Sequence, residues 1–340
     1  MKSNLSFSRV KMIDRKAVYM AYRDWPSLAR SGFEARFELP PTEFKQTFVL
    51  GMGGSAAGGD IISGWLSPRQ GVELSVFKGR VPVHDMKGTL AIACSASGGT
   101  QETIAMMQTA ARRGATVVSI SSGGKLEEES KKLGLQHIAM PEVVAPRYML
   151  PFIVFSCLAV ANRGMDLGCE EEAREAVSSL GKERGTVDVE VADAENPSKQ
   201  LARKLVKKNP VVYASEVTRG VGIRFKNAMN ENAKRHAFFD LMPDLFHNEV
   251  QSWEDTSRDF LPIFLRHAEE SPLERRKTDA FVTVLKKRGT RPLEIHGSGS
   301  GSLSQLITMA YQLDMASYYV AIALGRDPLQ TRMIDRLKKE

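Results

Sequence analysis

The sequence predicts an α/β protein with two doubly wound domains, each built on a mainly parallel sheet. Short apolar strands alternate with helical segments along most of the chain, and this alternation is typical of βαβ units. Glycine or proline follows most of these strands, as expected where the chain turns into a helix. The length of 340 residues suits two domains, because one domain commonly takes roughly 150 residues.

The chain opens with an amphipathic segment. Residues 1–40 are therefore expected to form a helical N-terminal extension. The first α/β domain is expected over residues 41–185. Its strands are predicted in five segments, FKQTFVLG, VELSVF, TLAIAC, ATVVSI and LQHIAM.

The second domain is expected over residues 186–325, because the polar stretch 168–198 carries no strand pattern and contains the junction. A long helix is predicted over residues 303–324. Asp327 and Pro328 are suited to begin a separate C-terminal helix within residues 326–340. The strands of this domain are predicted in NPVVYA, AFFDLM, LPIFLR and RPLEIH.

The composition is that of a globular protein. Hydrophobic residues make up 42% and charged residues 26% of the chain, close to the average for soluble domains. The formal net charge is +7, but the basic residues are dispersed among 40 acidic ones and accompany no nucleic-acid-binding motif. We therefore expect no nucleic acid partner, and an anionic small molecule explains the charge equally well.

Cysteine usage and hydropathy indicate where the protein works. Cys94, Cys157 and Cys169 form an odd set without metal-ligand spacing, which predicts neither a disulfide framework nor a bound metal. The sequence has no apolar run of membrane-spanning length and no signal-like apolar segment near its start. We expect a cytoplasmic protein that does not bind a membrane.

The loop after the first strand has the composition of a dinucleotide-binding turn. Gly51, Gly53 and Ala56 satisfy the G-x-G-x-x-A pattern. The acidic residue that should close the next strand is missing, since Glu73 lies near the beginning of VELSVFKGR and Lys78 near its end. A nicotinamide cofactor is therefore not favoured. The alternative interpretation is a tight turn that binds no ligand.

The loop after the third strand reads Ser-Ala-Ser-Gly-Gly-Thr over residues 95–100. Short hydroxyls and free amide groups at a helix start can surround a phosphate dianion. The alternative is that Ser95 or Thr100 merely caps the helix. Both glycine-containing loops should lie at the carboxyl ends of parallel strands, where such domains bind ligands, and this favours a phosphate site.

Glu231 and His247 are the candidate proton-transferring groups of the second domain. Glu231 stands between Asn230 and Asn232 in a polar helical segment, where oriented amides and partial burial would suit a general base. A solvated helix face is the alternative. His247 lies on a predicted loop and histidine exchanges protons near neutral pH, although a lone histidine is more often structural. The remaining histidines are interpreted as structural: His84, His137, His236, His267 and His296.

Six segments in a fixed order resemble the bifunctional phosphoglucose/phosphomannose isomerases, a branch of the sugar isomerase (SIS) domain superfamily. They are GMGGS, SASGGTQET, PRYMLP, NENAKRHAF, FHNEVQSWE and GRDPLQTRMIDRLKK. The resemblance spans residues 46–338 and implies two SIS-type domains, no cofactor, and a homodimer with shared active sites. The chain departs from the family pattern at Gly99, where asparagine is typical, and in GSAAGGD, where GSGISGD is commoner.

The resemblance also implies roles for individual residues. The phosphate would be held by four hydroxyl side chains, those of Ser55, Ser95, Ser97 and Thr100. Arg147 would lie near the oxygens on carbons 1 and 2, and Glu231 would be the isomerisation base. His247, supplied by the neighbouring subunit, would open the sugar ring. Thr331 and Lys338 would line the same pocket, so that the 326–340 helix would pack on the active site.

The activity that the resemblance implies is interconversion of glucose 6-phosphate and mannose 6-phosphate with fructose 6-phosphate through a cis-enediolate. A glutamine-dependent glucosamine phosphate synthase also has tandem SIS domains. That enzyme needs an N-terminal cysteine nucleophile, whereas the first cysteine here is Cys94. A non-catalytic sugar-phosphate-binding SIS regulator is the other alternative, and the presence of both Glu231 and His247 argues against it.

Overall fold

The computed structural model describes residues 5–69, 71–82, 84–255 and 259–337. The chain divides into two compact units. The first unit is Asp24–Ser178, and the second combines Met1–Arg23 with Ser179–Glu340. The beginning of the chain is therefore part of the unit that is otherwise formed by its second half.

Helices surround the strands throughout the described residues. In chain order they are α1 (Phe7–Ile13), α2 (Val18–Arg23), α3 (Trp25–Phe33), α4 (Gly53–Leu66), α5 (Gln101–Arg112), α6 (Gly124–Lys132), α7 (Leu150–Met165), α8 (Glu170–Val187), α9 (Pro197–Leu205), α10 (Arg219–Glu231), α11 (Pro272–Lys287), α12 (Ser302–Ala323) and α13 (Arg332–Leu337). Three short 3-10 turns lie at Pro146–Met149, Asp244–His247 and Glu249–Trp253.

The first unit contains a five-stranded sheet in which every neighbouring pair is parallel. Its strands are β1 (Gln46–Gly51), β2 (Leu74–Phe77), β3 (Thr89–Cys94), β4 (Thr116–Ser121) and β5 (Gln136–Ala139), in the order β2-β1-β3-β4-β5. Gly51 pairs with Cys94, so β1 and β3 end side by side. The predicted α/β class with parallel sheets is confirmed.

Alternate residues of β1 face different helical layers, as the pleat of a strand requires. Val49 packs against Gly59 of α4, where an added Cβ would lie 2.7 Å from its methyl carbon. Phe48 instead joins a buried cluster with Ile104 of α5 and Leu126 of α6. Helices thus cover both faces of the sheet, which is the predicted doubly wound arrangement.

Helix α7 belongs to the core of the first unit. The segment Pro146–Met165 is long and apolar enough to cross a membrane, but 83% of its apolar stretch is buried inside the structure. Gly32 of α3 lies so close to α7 that an added Cβ would be 2.6 Å from the carbonyl oxygen of Phe152. The apolar character of α7 is explained by this packing.

The second unit contains a four-stranded sheet in which every neighbouring pair is parallel. Tyr213 and Phe264, on the two central strands, join a buried cluster with Phe281 of α11. Ala214 packs on the opposite side against Gly222 of α10, with an added Cβ at 3.3 Å. The strands of this sheet are β6 (Asn209–Ala214), β7 (Phe238–Leu241), β8 (Phe260–Arg266) and β9 (Leu293–His296), in the order β7-β6-β8-β9.

A buried carboxylate attaches the N-terminal helices to the second unit. Asp14 is 3% exposed and accepts hydrogen bonds from the backbone N–H of Val18 at 2.9 Å and from the Tyr318 hydroxyl at 2.7 Å. Arg23 donates two hydrogen bonds of 2.7 Å to the carboxylate of Asp188. These contacts fix α1 and α2 against α12 and the end of α8.

Helices α10 and α12 are joined by a buried ion pair. Arg224 and Asp314 are 1% and 0% exposed, and Arg224 Nε lies 3.0 and 3.2 Å from the two carboxylate oxygens. Burial acts to lower the pKa of Arg224, but the Asp314 carboxylate outweighs it and raises that pKa above its usual value. The pair therefore stays charged inside the unit.

The tail differs from the sequence prediction. Asp327 and Pro328 were expected to begin the last helix, but α13 begins at Arg332. The Asp327 carboxylate instead accepts a hydrogen bond from the backbone N–H of Leu329 at 2.8 Å. A capping-type residue also stabilises a turn, and here the turn forms before the helix starts.

We predict that Asp314→Asn lowers the free energy of unfolding by about 3–5 kcal/mol, because it leaves a buried guanidinium without its countercharge. Urea unfolding followed by circular dichroism measures this loss. Glu171→Gln, in the exposed pair with Arg174, is the matched control and should change the stability little. Equal, small losses in both variants would contradict a structural role for the buried pair.

Candidate functional site

Four hydroxyl side chains gather where β1 and β3 end, and they are called the serine cluster: Ser55, Ser95, Ser97 and Thr100. The backbone N–H of Ala96 donates to Ser55 Oγ at 3.1 Å and so ties the two loops together. Ser95 Oγ donates to Thr100 Oγ1 at 3.0 Å. The structure thus brings together the four residues that the sequence proposed for phosphate.

Glycine is required at residue 98 of this loop. Gly98 has a φ of +65°, and an added Cβ would overlap the carbonyl oxygen of Gly123 in the loop after β4. The backbone N–H of Leu126 also donates to the Gly98 carbonyl at 2.8 Å. Gly99 is different, since the nearest atom to an added Cβ is Ser97 Oγ at 3.9 Å. The loop conformation therefore does not depend on the departure from the family pattern at Gly99.

The hydroxyls of the cluster differ in what they can offer a ligand. Ser95 is fully buried, and its Oγ both donates to Thr100 Oγ1 and accepts from the Thr100 N–H. Thr100 precedes α5 and keeps its own hydroxyl hydrogen for another acceptor. Ser97 is exposed. Ser97, Thr100 and the first N–H groups of α5 are therefore the donors available to an anion.

A cavity of about 350 Å³ lies beside the serine cluster, bordered by Ser97, Ser122, Glu142, Pro146 and Met149 among others. Ser122 and Glu142 line this cavity although neither was predicted as a site residue from the sequence. Ser122 follows β4 much as Ser95 follows β3, and its Oγ donates to the Ala96 carbonyl at 2.6 Å. The serine and glycine pairs after that strand were the signal that could have identified it. Glu142 lies on an irregular segment that carries no comparable pattern.

Arg147 belongs to the short turn Pro146–Met149 and is not itself among the described residues that line this cavity. Its side chain is buried, with the guanidinium carbon 4.7 Å from the centre of the Tyr148 ring. Its neighbours Pro146 and Met149 line the cavity. The short turn Pro146–Met149 therefore holds a fixed cation in the first unit, close to the walls that the serine cluster helps to form.

The second unit has its own cavity, of about 690 Å³, and it brings Glu231 and Thr331 together. Glu231 is the last residue of α10 and is half-buried. Thr331 stands directly before α13. Lys338, which was expected in the same pocket, lies outside the described residues. Other polar residues of the lining are Asn230, Lys234, Arg326, Asp327, Gln330 and Arg332.

The amides beside Glu231 fix the end of its helix. Asn232 is fully buried, and its Nδ2 donates to Tyr22 Oη and to Ser317 Oγ, each at 2.9 Å. Asn230 Nδ2 donates to the Arg235 carbonyl at 2.8 Å. Asn230 and Asn232, the amides predicted to orient Glu231, thus fix the backbone that carries its carboxylate.

His247 follows β7 in the second unit. It ends the short turn Asp244–His247 and is exposed. It is not among the described residues that line the cavity of Glu231. Glu249, two residues further on, accepts a hydrogen bond from Tyr213 Oη at 3.0 Å, which fixes the segment that follows the histidine.

In the second sheet, buried side chains occupy the space at the ends of the two central strands. Ser215 Oγ lies 3.0 Å from His267 Nε2 and 3.2 Å from Thr218 Oγ1. All three residues are buried. The corresponding place in the first unit presents exposed Ser97 and half-buried Thr100. Among the described residues, accessible hydroxyls at the central strand ends are therefore found in the first unit.

Comparison with known proteins gives consistent results. The family model for the bacterial phospho-glucose isomerase C-terminal SIS domain matches residues 194–340. A bifunctional phosphoglucose/phosphomannose isomerase of Aquifex aeolicus is 29% identical over 91% of this chain and 96% of its own. A D-glucosamine-6-phosphate 4-epimerase of Sulfolobus acidocaldarius is 30% identical over 64% of this chain and 67% of its own.

Solved structures show the same fold. A glucose-6-phosphate isomerase-like protein from Thermus thermophilus has a TM-score of 0.64 at 19% identity, with 99% of each chain covered. The C-terminal domain of glucosamine-fructose-6-phosphate aminotransferase from Francisella tularensis has a TM-score of 0.68 at 15% identity, with 92% of this chain and 98% of that one covered. These likenesses establish the SIS-type fold.

We predict that Ser97→Ala weakens the binding of inorganic phosphate about tenfold or more, because one charge-assisted hydrogen bond is worth about 1.5–3 kcal/mol. Isothermal titration calorimetry measures the affinity. Ser95→Ala is the comparison variant and should mainly lower the melting temperature, since Thr100 loses its internal partner. Unchanged phosphate affinity in Ser97→Ala would mean that the loop serves only as a helix cap.

Proposed function

Because the chain belongs to the bifunctional phosphoglucose/phosphomannose isomerase family, we propose that it interconverts glucose 6-phosphate and mannose 6-phosphate with fructose 6-phosphate. The observation that supports the proposal is the cavity that both Glu231 and Thr331 line. A carboxylate at a cavity wall, on a helix end fixed by buried hydrogen bonds, is suited to act as a general base.

In the proposed reaction Glu231 moves one proton between two carbons. The carboxylate removes the proton from carbon 2 of the open-chain aldose, and the electron pair forms a double bond between carbons 1 and 2. The resulting cis-enediolate carries its charge on oxygen. A proton then moves from the oxygen on carbon 2 to the oxygen on carbon 1, and return of the first proton to carbon 1 completes the ketose with its carbonyl at carbon 2. General base catalysis of this kind typically contributes about a hundredfold to ten-thousandfold in rate.

Two further roles, phosphate binding and stabilisation of the enediolate, are proposed from the family resemblance. We assign phosphate binding to the serine cluster, in which Ser97 and Thr100 have hydroxyl hydrogens to donate and α5 adds the positive end of its dipole. Arg147 is a buried, permanently charged side chain. A fixed cation of this kind would stabilise the enediolate oxygens without having to reorganise during the reaction.

One enediolate can serve both aldoses, since glucose 6-phosphate and mannose 6-phosphate differ only in configuration at carbon 2. The base must then reach either face of the intermediate, which requires room for rotation about the bond between carbons 2 and 3. Thr331 has a short side chain and lines the cavity of Glu231. We propose that the short side chain of Thr331 leaves the space for this rotation.

The assembly that we propose is a cytoplasmic homodimer with shared active sites. The support is the position of His247, which is exposed and absent from the described lining of the Glu231 cavity. A histidine that opens the sugar ring must reach the substrate. Supply of His247 by the neighbouring subunit satisfies this need.

An amino sugar phosphate is the second candidate substrate. One relative is named a D-glucosamine-6-phosphate 4-epimerase, and Glu142 lines the cavity beside Ser97. A carboxylate at that wall would pair with the ammonium group of an amino sugar, as an opposite charge does in any partly buried site. This observation makes glucosamine 6-phosphate a necessary substrate in the functional assay.

We predict that the purified protein converts fructose 6-phosphate to glucose 6-phosphate and mannose 6-phosphate. The Glu231→Gln variant should lower the turnover rate about a hundredfold or more while it still binds the substrate. Coupled assays with the hexose phosphates and with glucosamine 6-phosphate measure it. Glu269→Gln, an exposed carboxylate outside the described cavity, is the control. Near-normal turnover in Glu231→Gln would remove this residue from the mechanism.

We further predict that mixing Glu231→Gln subunits with His247→Ala subunits restores part of the activity that each variant lacks alone. One site of each mixed dimer would receive both intact residues. Subunit exchange is followed by native mass spectrometry and activity by the coupled assay. Proven exchange without any recovery would place both residues in the same subunit.

A further inference from the structure

We propose that Arg326 is a positioning residue for Glu231, holding the end of α10 and the segment before α13 in one arrangement. This inference rests on the proposed function, because it concerns the same carboxylate. Arg326 is not itself assigned a contact with substrate. Its action would pass through the backbone that follows Glu231.

Two cations bind the turn directly after Glu231. Arg326 Nη1 donates to the carbonyl oxygens of Ala233 at 2.6 Å and of Lys234 at 2.8 Å. Lys234 Nζ donates in turn to the carbonyl of Asn232 at 3.1 Å and to the carbonyl of Asp327. The three carbonyls after Glu231 are thus each bound by a positive group.

The carbonyls that the two cations bind follow Glu231, the last residue of α10, so both cations lie just beyond the end of this helix. The last carbonyl groups of any α-helix lack partners within the helix and carry its negative dipole end. The last turn of α10 contains no basic residue of its own. Lys234 also has a φ of +53°, a left-handed conformation that is unfavourable for a residue with a Cβ. The bonds from Arg326 and Lys234 hold the turn in this costly form.

The hydrogen bonds from Arg326 and Lys234, called the tie, join two walls of one cavity. Glu231 lies on the helix side of the turn, and Arg326 begins the segment that leads to Thr331. Loss of the tie would let the carboxylate shift relative to the opposite wall. A misplacement of about 1 Å at a reacting group can cost up to a hundredfold in rate. Arg326 therefore acts on proton transfer more than on phosphate binding.

The test compares Arg326→Met with Arg288→Met. Arg288 also donates to a backbone carbonyl, that of Glu254 at 2.7 Å, but it lies outside the described lining of the Glu231 cavity. We expect Arg326→Met to lower kcat roughly tenfold with KM within about twofold, and Arg288→Met to match the wild type. With deuterium at carbon 2 of glucose 6-phosphate, the isotope effect on kcat should rise only in Arg326→Met. Arg326→Lys, which can still donate to one carbonyl, should recover part of kcat.

A structural readout separates this inference from the proposed function. Amide hydrogen exchange of residues 230–236, measured by mass spectrometry without substrate, should be faster in Arg326→Met than in Arg288→Met. If the wild type turns over no hexose phosphate, the proposed function fails and exchange alone decides whether the tie exists. Unchanged exchange, or a lower kcat with an unchanged isotope effect, overturns the positioning role.

Discussion

The ion pair between Arg224 and Asp314 is the constraint on which the second unit depends. Both side chains are nearly inaccessible to solvent, so each charge is tolerable only while the other remains in place. The pair fixes α10 against α12, and the same two helices meet again where Asn232 donates to Ser317. Glu231 lies between these two attachments, at the end of α10. The position of the proposed base is therefore set by buried polar contacts, and its own side chain remains half-buried at the cavity wall.

The two units use similar sheets for different purposes. In the first unit, the neighbouring ends of β1 and β3 carry a loop with an exposed serine and a helix start behind it, which suits an anion. In the second unit, the ends of β6 and β8 are filled by Ser215, Thr218 and His267. The second unit instead offers a carboxylate at a helix end. The exposed hydroxyl loop of the first unit and the half-buried carboxylate of the second are therefore different kinds of polar site.

Much of the fold could be predicted because its signals are local. Strands such as β3 are continuous apolar runs, and the glycines after them mark turns, so the α/β class with parallel sheets follows from spacing alone. The serine cluster was foreseeable for the same reason. The tail was not, since Asp327 suits a turn as well as a helix cap. Glu142 was missed because nothing in its neighbourhood distinguishes a cavity carboxylate from a solvated one.

The sequence by itself determined most of the secondary structure and the hydroxyl loop, and it indicated the candidate base, since these depend on residues that are close together along the chain. The tertiary structure decided which distant residues support them. Asp14 and Tyr318, 304 positions apart, share a buried hydrogen bond, and Tyr22 accepts one from Asn232, 210 positions away. Such contacts leave no periodicity in the sequence, because each is a single pairing selected by packing. For this reason only the folded chain shows that its first helices and its last loop hold the segment around Glu231.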